Sequence, residues 1–344
     1  MNRIVLFDAL KGVAMLSVVI WHLMNNLNDS ENINSTFIYI FLDIVQLPLF
    51  MMISGYFCYR TKIECISIIK KRFCQLIFPI IFMGLLYILF ISFKSVDFEF
   101  IELLKSYYTG ANPYYFLICL FELHCIYLFT SFIKTSNIYI QTSLYVSIYI
   151  CLCLIENYIP LNICRCLYLN EIILRFYWPF ILGIYLNQFS LSKRLFHTNT
   201  QVIYFIINIS LFYCLYISDN IILFPRGVGF FISQFFTLCL ILHIATIVNY
   251  IVLTMKEGKF INIFVSIGSN SLAIYLLHYF FRFDLSGLIP FLSTTQFSSC
   301  AILLTLLPIA SLIITLCICL KKIINTNNIL SLLLLGKICS KENY

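Results

Sequence analysis

The sequence predicts an all-α polytopic membrane protein of about ten transmembrane helices with both termini cytoplasmic, and three observations carry that prediction. Hydrophobic residues make up 61% of the 344-residue chain and charged residues only 11%, with a mean hydropathy of +0.95. A water-soluble domain carries about 25% charged residues, and 22 Lys and Arg with 15 Asp and Glu are too few to cover a soluble globule of this size. The apolar residues fall in runs close to the roughly 20 residues that a helix needs to cross a bilayer. The basic residues gather on alternate connections between those runs. Secreted, disordered and soluble nucleic-acid-binding classes are excluded.

Apolar runs between polar breaks give candidate helices over 5–26, 37–58, 75–93, 113–133, 138–156, 172–188, 201–218, 228–252, 262–282 and 299–320. With the N-terminus inside, sixteen of the 22 basic residues fall on the inner face, among them Lys70, Lys71, Arg72, Lys134, Lys193, Arg194, Lys321 and Lys322. Lys94, Lys105, Arg165, Arg175, Arg226 and Arg282 fall outside, and connections on that face carry Asp29, Glu31, Asp97, Glu99 and Glu102. The positive-inside rule then sets both termini in the cytoplasm. The net charge of +7 is a consequence of topology and calls for no nucleic-acid partner. Residues 1–325 are expected to form the membrane domain and 326–344 a short cytoplasmic tail. In that tail Leu330–Leu335 is too short to span and reads equally as an interfacial segment or a frayed end. Neither a cleavable leader nor an appended soluble domain is expected. Most of the 15 cysteines sit inside apolar runs, as Cys151, Cys153, Cys239, Cys317 and Cys319 do, where a thiol acts as a small hydrophobe. Cys164 and Cys166 lack metal-site spacing, and no metal is expected.

Ionisable groups inside spans are costly and are the first functional candidates. In the first helix Lys11 and His22 are eleven residues apart, three turns plus about 20°, so both project from one face about 16 Å apart along the axis. Asp8 lies three residues before Lys11, in reach of an ion pair. Gly12 and Ala14 keep this end slim for a close neighbour. Snorkelling of Lys11 to the headgroups, and an interfacial role for His22, fit the same spacing. The second helix carries Asp43 and Gln46, then Pro48 and the small pair Ser54–Gly55. The third is preceded by Lys70, Lys71 and Arg72, with Gln75 and Pro79 following; such a cluster anchors topology or clamps phosphate. Glu122 falls mid-membrane in the fourth helix, and His124, two residues on, faces elsewhere. His243 in the eighth reads as a packed or hydrogen-bonded residue, and His197, near Lys193 and Arg194, as surface. In the ninth, Tyr275 and His278 share a face just after the polar turn Gly268–Ser269–Asn270–Ser271.

The string Phe7-Asp8-Ala9-Leu10-Lys11-Gly12-Val13-Ala14, with His22 eleven residues past the basic position, resembles the opening helix of the membrane-bound acyltransferase 3 family. Further blocks follow in the family's order: Pro48 to Phe57, Lys71-Arg72 with Leu76-Ile77-Phe78-Pro79, Pro113 to Leu117, and Ser271 to His278. The resemblance covers roughly residues 4–320. It implies acyl transfer from a cytoplasmic acyl-CoA, most often acetyl-CoA, to a hydroxyl of a surface polysaccharide or lipid-linked sugar, in the bacterial inner membrane. No bound cofactor is implied beyond that donor. By position it implies His22 as catalytic base, Lys11 as the basic partner that helps hold the donor, and Arg72 in the phosphate-binding surface. Three departures stand out: Lys11 where many members have Arg, which loses the bidentate fork; Gln75 where a second Arg is common; and Gln46 where a His is common. An acyl transfer also needs donors for the developing oxyanion, and Ser54, Tyr275, His278, Asp43 and Gln46 are candidates for that or for holding the acceptor. A flippase for a lipid-linked sugar predicts inverted repeats and broken helices, and a glycan polymerase predicts a large outer loop; neither pattern stands out.

Overall fold

The computed structural model describes residues 3–27, 30–59, 65–93, 113–131, 137–158, 171–196, 200–217, 226–255, 258–281, 283–294 and 296–337. Asp29, Asp97, Glu99, Glu102, His197, Cys164 and Cys166 lie outside them, as do Arg60, Lys62, Lys94, Lys105, Lys134, Arg165, Lys256, Arg282 and Lys341. A single apolar segment satisfies its backbone in lipid only as a helix, and the described residues form helices and helical turns without a strand. Among the described residues, six helices are long and apolar enough to cross a membrane: Val5–Asn25, Phe37–Cys58, Ile66–Ser92, Ile138–Glu156, Gly229–Met255 and Ser299–Ile324. A seventh is a pair, Lys259–Ser269 and Ser271–Phe281, bent by 62°. Two shorter apolar helices, Tyr115–Thr130 and Gln201–Leu215, occupy the fourth and seventh expected segments. Glu171–Gln188 is helical in the sixth.

The chain divides into two compact units. The first comprises Met1–Tyr59, Trp178–Ser271 and Phe283–Ser311. Here α1 (Arg3–Asn25) packs along α12 (Lys259–Ser269), and the reason lies in two glycines. A Cβ on Gly12 would run into the Phe264 carbonyl, and one on Gly268 into the Asp8 carbonyl, so the two backbones touch. A second such crossing joins α3 (Phe37–Cys58) to α8 (Glu171–Gln188), where Gly55 faces the Phe180 carbonyl and Gly183 the Met52 carbonyl. Around them Leu10, Ala14, Val45, Leu49, Met52, Ile241 and Ala245 form a buried core with α11 (Arg226–Met255). α10 (Gln201–Phe212) packs against α11, where His243 contacts the Asn208 amide nitrogen at 3.2 Å, the hydrogen-bonded role expected of it.

The second unit comprises Arg60–Tyr177, Leu272–Arg282 and Leu312–Tyr344. Its α4 (Cys65–Arg72) runs through a π-turn (Phe73–Ile77) into α5 (Phe78–Ser92). The basic cluster Lys70–Arg72 therefore lies within a helix rather than ahead of one, a correction to the expected start at residue 75. Pro79 has no N–H for the Gln75 carbonyl four residues back. The ladder lengthens instead of breaking, and the Phe78 N–H bonds the Phe73 carbonyl. α6 (Tyr115–Thr130) packs on this π-turn, and α7 (Ile138–Tyr158) is tied to Tyr177 through its hydroxyl, which donates to the Tyr145 carbonyl at 2.9 Å.

The ninth segment, expected as one helix over 262–282, is interrupted at Asn270. The Asn270 amide and the Ser269 hydroxyl both donate to the Ser266 carbonyl, at 2.6 and 3.0 Å, and so compete with the next helical turn. α12 ends there, α13 (Ser271–Leu277) starts in a new direction, and His278 falls in a 3-10 turn, His278–Phe281. The Leu330–Leu335 stretch belongs to a formed helix, α16 (Asn328–Leu335). It packs against α5 and the π-turn.

Candidate functional site

In the first unit α1 is unbroken from Arg3 to Asn25, so the helical register that aligns Lys11 with His22 holds over its whole length. Lys11 Nζ sits 3.0 Å from Asp8 Oδ1, the ion pair expected from their spacing, and both side chains are mostly buried. The ammonium also lies 5.4 Å from the centroid of the Phe57 ring, a cation–π approach. Phe7 packs its ring tilted against Tyr56 at 4.1 Å and edge-to-face against Phe57 at 5.1 Å, closing the apolar side. Lys11 is thus held by the Asp8 carboxylate and the Phe57 ring.

At the other end of α1, His22 is half-buried beside Trp21, their rings edge-to-face at 5.0 Å. Trp21 stacks on Tyr39 at 5.7 Å, and the Tyr39 hydroxyl donates to Asn25 Oδ1 at 3.2 Å. Asn25 in turn donates to the Trp21 carbonyl at 3.1 Å. Asp43 stands one turn beyond Tyr39 on α3, within Coulombic reach of its hydroxyl. This ring of Trp21, Asn25, Tyr39 and Asp43 ties the His22 end of α1 to α3. Sequence reading found Asp43 and missed the others; the signal was the N-cap Thr36, whose hydroxyl accepts from the Tyr39 N–H and fixes where α3 starts. Gln46 is buried one turn deeper, and Ser54 is half-buried next to Gly55.

The remaining candidates belong to the second unit. Lys71 is exposed and Arg72 half-buried, with the Arg72 guanidinium donating to Gln75 Oε1 at 3.2 Å. Gln75 is therefore not merely a missing cation: its amide oxygen steadies the one that is present. Glu122 on α6 has a buried carboxyl oxygen, Oε2, with no hydrogen-bond partner among the described residues. His124 turns away and contacts the Leu120 carbonyl through Nδ1 at 2.7 Å. The Tyr275 hydroxyl donates to the Pro113 carbonyl at 3.1 Å while the Tyr114 hydroxyl donates to the Leu276 carbonyl at 2.9 Å. These reciprocal bonds clamp the start of α6 to α13, and they commit the hydroxyl proton that an oxyanion would need. His278 is buried, its Nδ1 3.1 Å from the Ile274 carbonyl and its ring 5.9 Å from that of Tyr275.

An apolar cavity of about 270 Å³ in the first unit is lined by Phe37, Phe41, Phe212, Asn208 and His243. None of the candidates for catalysis or donor binding lines it. Among the described residues, no three His, Cys, Asp or Glu side chains form a group able to hold a metal ion.

The family model of the acyltransferase 3 acyltransferase domain matches residues 4–323. The chain belongs to the acyltransferase 3 family. The match takes in both units and every candidate residue named above, and the resemblance carried by Asp8, Lys11, His22 and the later blocks is borne out. Family membership together with six or seven apolar spans supports a multi-pass membrane acyltransferase. No curated protein and no solved structure matches the chain.

Proposed function

We propose that the protein transfers an acetyl group from acetyl-CoA to a hydroxyl of a surface polysaccharide or of its lipid-linked sugar precursor. The single observation that carries this reading is α1: a family-matched helix, unbroken over 23 residues, with a half-buried Lys11–Asp8 pair on the face that three turns later presents His22. His22 acts as general base. Its imidazole, near neutral pKa in its ordinary state, takes the proton of the acceptor hydroxyl as the oxygen attacks the thioester carbonyl. The tetrahedral intermediate collapses, the C–S bond breaks, and the imidazolium returns the proton to the departing thiolate. Ester and free coenzyme A leave; no oxidant, metal or bound cofactor enters the balance.

Lys71, Arg72 and Gln75 are proposed to hold the donor's phosphates, and Lys11 is proposed as a further donor contact. Asp43, at the His22 end of α3, is proposed to bind acceptor hydroxyls. Glu122, Gln46, Ser54 and His278 are carried as further candidates around the reaction. The ten helical segments are proposed to cross the inner membrane with both termini cytoplasmic, consistent with sixteen basic residues assigned to one face.

Purified protein with labelled acetyl-CoA and candidate lipid-linked sugars tests the reading. Label should pass to the sugar with the wild type and not with His22→Ala, which should insert and fold normally. A fully active His22→Ala protein removes the base assignment. Unchanged glycan acetylation in cells lacking the protein, with altered chain length or lost export, supports polymerase or flippase activity instead.

A further inference from the structure

The C-terminal segment returns to the helix that carries Arg72. Asn327 caps α16, its side-chain oxygen accepting from the Ile329 and Leu330 amides at 2.9 and 3.2 Å. At the other end the Gly336 N–H donates to the Leu332 carbonyl at 3.0 Å, the closing bond of an αL C-cap, and the Lys337 N–H to the Ser331 carbonyl at 3.1 Å. Gly336 adopts φ +61°, the left-handed conformation that this turn requires. It lies directly against the π-turn: a Cβ there would meet the Gln75 Cα at 2.8 Å and the Cys74 carbonyl oxygen at 2.9 Å. Ser331 and Leu335 are buried beneath. The segment is a short strap, fixed at both ends, and its last described residue, Lys337, emerges exposed next to the stretch in which Gln75 holds Arg72.

Lys337 also comes within Coulombic reach of Lys321, near the end of α15 (Ser299–Ile324), and Lys322 follows exposed on the same helix. An anchor for topology needs basic residues near a membrane surface but no fixed geometry among them. Here a capped helix and a glycine packed on backbone bring like charges together, which is unfavourable by itself and becomes favourable around a polyanion.

We propose that Lys337, presented by the C-terminal strap, and Lys321, near the end of α15, join Arg72 in binding the phosphates of the acyl donor. This rests on the donor reading above and extends it to residues that the opening motifs do not include. The strap positions; the lysines bind. Neither takes part in the acyl transfer itself.

The test uses the full chain in nanodiscs of neutral phosphatidylcholine, with acetyl-CoA turnover and calorimetric binding of coenzyme A. Lys321→Gln with Lys337→Gln should raise KM and weaken coenzyme A binding by roughly three- to tenfold, as loss of exposed charged contacts does, with kcat unchanged. Gly336→Ala should shift KM the same way by displacing the strap. Lys337→Arg should retain wild-type KM, and Lys259→Gln, a basic change in the first unit, should leave it alone. If the wild type binds coenzyme A and the double variant binds it equally well, the strap proposal is wrong while the donor reading stands. If the wild type neither binds nor uses acetyl-CoA, both fall. If the variants differ only in vesicles containing phosphatidylglycerol, the lysines hold lipid headgroups, and the donor assignment is overturned.

Discussion

The two units hold their polar residues by opposite means. In the first, α1 is pressed backbone to backbone against α12 at Gly12 and Gly268, and its charges are neutralised locally, Lys11 by Asp8 at 3.0 Å. In the second, cationic side chains sit at helix ends, with Lys71 and Lys337 exposed and the Arg72 guanidinium hydrogen-bonded to the neutral Gln75. A base that must meet one hydroxyl at one carbonyl needs fixed geometry, because misplacement by about an ångström costs rate steeply. Phosphate groups are recognised largely by charge, which falls off gently with distance and tolerates mobile lysines. The contrast matches chemistry proposed for one unit and anion binding proposed for the other.

The largest effect expected from breaking that contrast is on His22. His22→Ala should lower kcat by roughly 10²–10⁴, the ordinary contribution of general base catalysis, with KM for acetyl-CoA little changed. A variant that loses KM and keeps kcat would place His22 with the binders. Next comes the glycine contact. Gly268→Ala should destabilise the protein by about 1–3 kcal/mol or prevent folding, since backbone cannot yield as a side chain can, seen as a lowered Tm in detergent. By contrast Gly229→Ala, on α11, meets nothing within 4 Å and should leave Tm unchanged or slightly raised.

Tyr275→Phe sharpens the boundary between bracing and catalysis. Loss of the hydroxyl bond to Pro113 should cost about 0.5–1.5 kcal/mol of stability while kcat stays within a few-fold. A hundredfold fall in kcat without loss of stability would make Tyr275 an oxyanion donor after all. The smallest loss is expected at Asn208. Asn208→Leu breaks its contact with His243, and interhelical hydrogen bonds in membranes average about 0.6 kcal/mol. Activity should be retained, and a loss of activity larger than the loss of stability would draw the neighbouring cavity into function.

Much of this was legible in the residues. Apolar runs mark the helices because lipid permits little else, and all ten expected segments contain a helix. The Asp8–Lys11 pair follows from a three-residue spacing, and the close approach at Gly12 from a missing side chain. The break at Asn270 was less legible: the polar turn was visible, but a run of apolar residues on both sides reads as one span until the Ser269 and Asn270 side chains are seen taking the Ser266 carbonyl. The continuous helix through Arg72 was hidden for the converse reason, since a basic triplet followed by Pro79 reads as a boundary.

Composition and local spacing determined the class of protein, the helices and the α1 register, because each depends on residues close in sequence or on sums over the chain; the family was legible only as a resemblance of its motif blocks. Tertiary structure decided the rest: that the Tyr275 hydroxyl is spent on Pro113, that Tyr39 and Asn25 tie α1 to α3, and that Gly336 lies on the π-turn of Gln75. The Tyr39–Asn25 bond joins residues 14 positions apart and the Tyr275–Pro113 bond residues 162 apart. No local pattern encodes such pairs, because they form only when whole helices have found their neighbours.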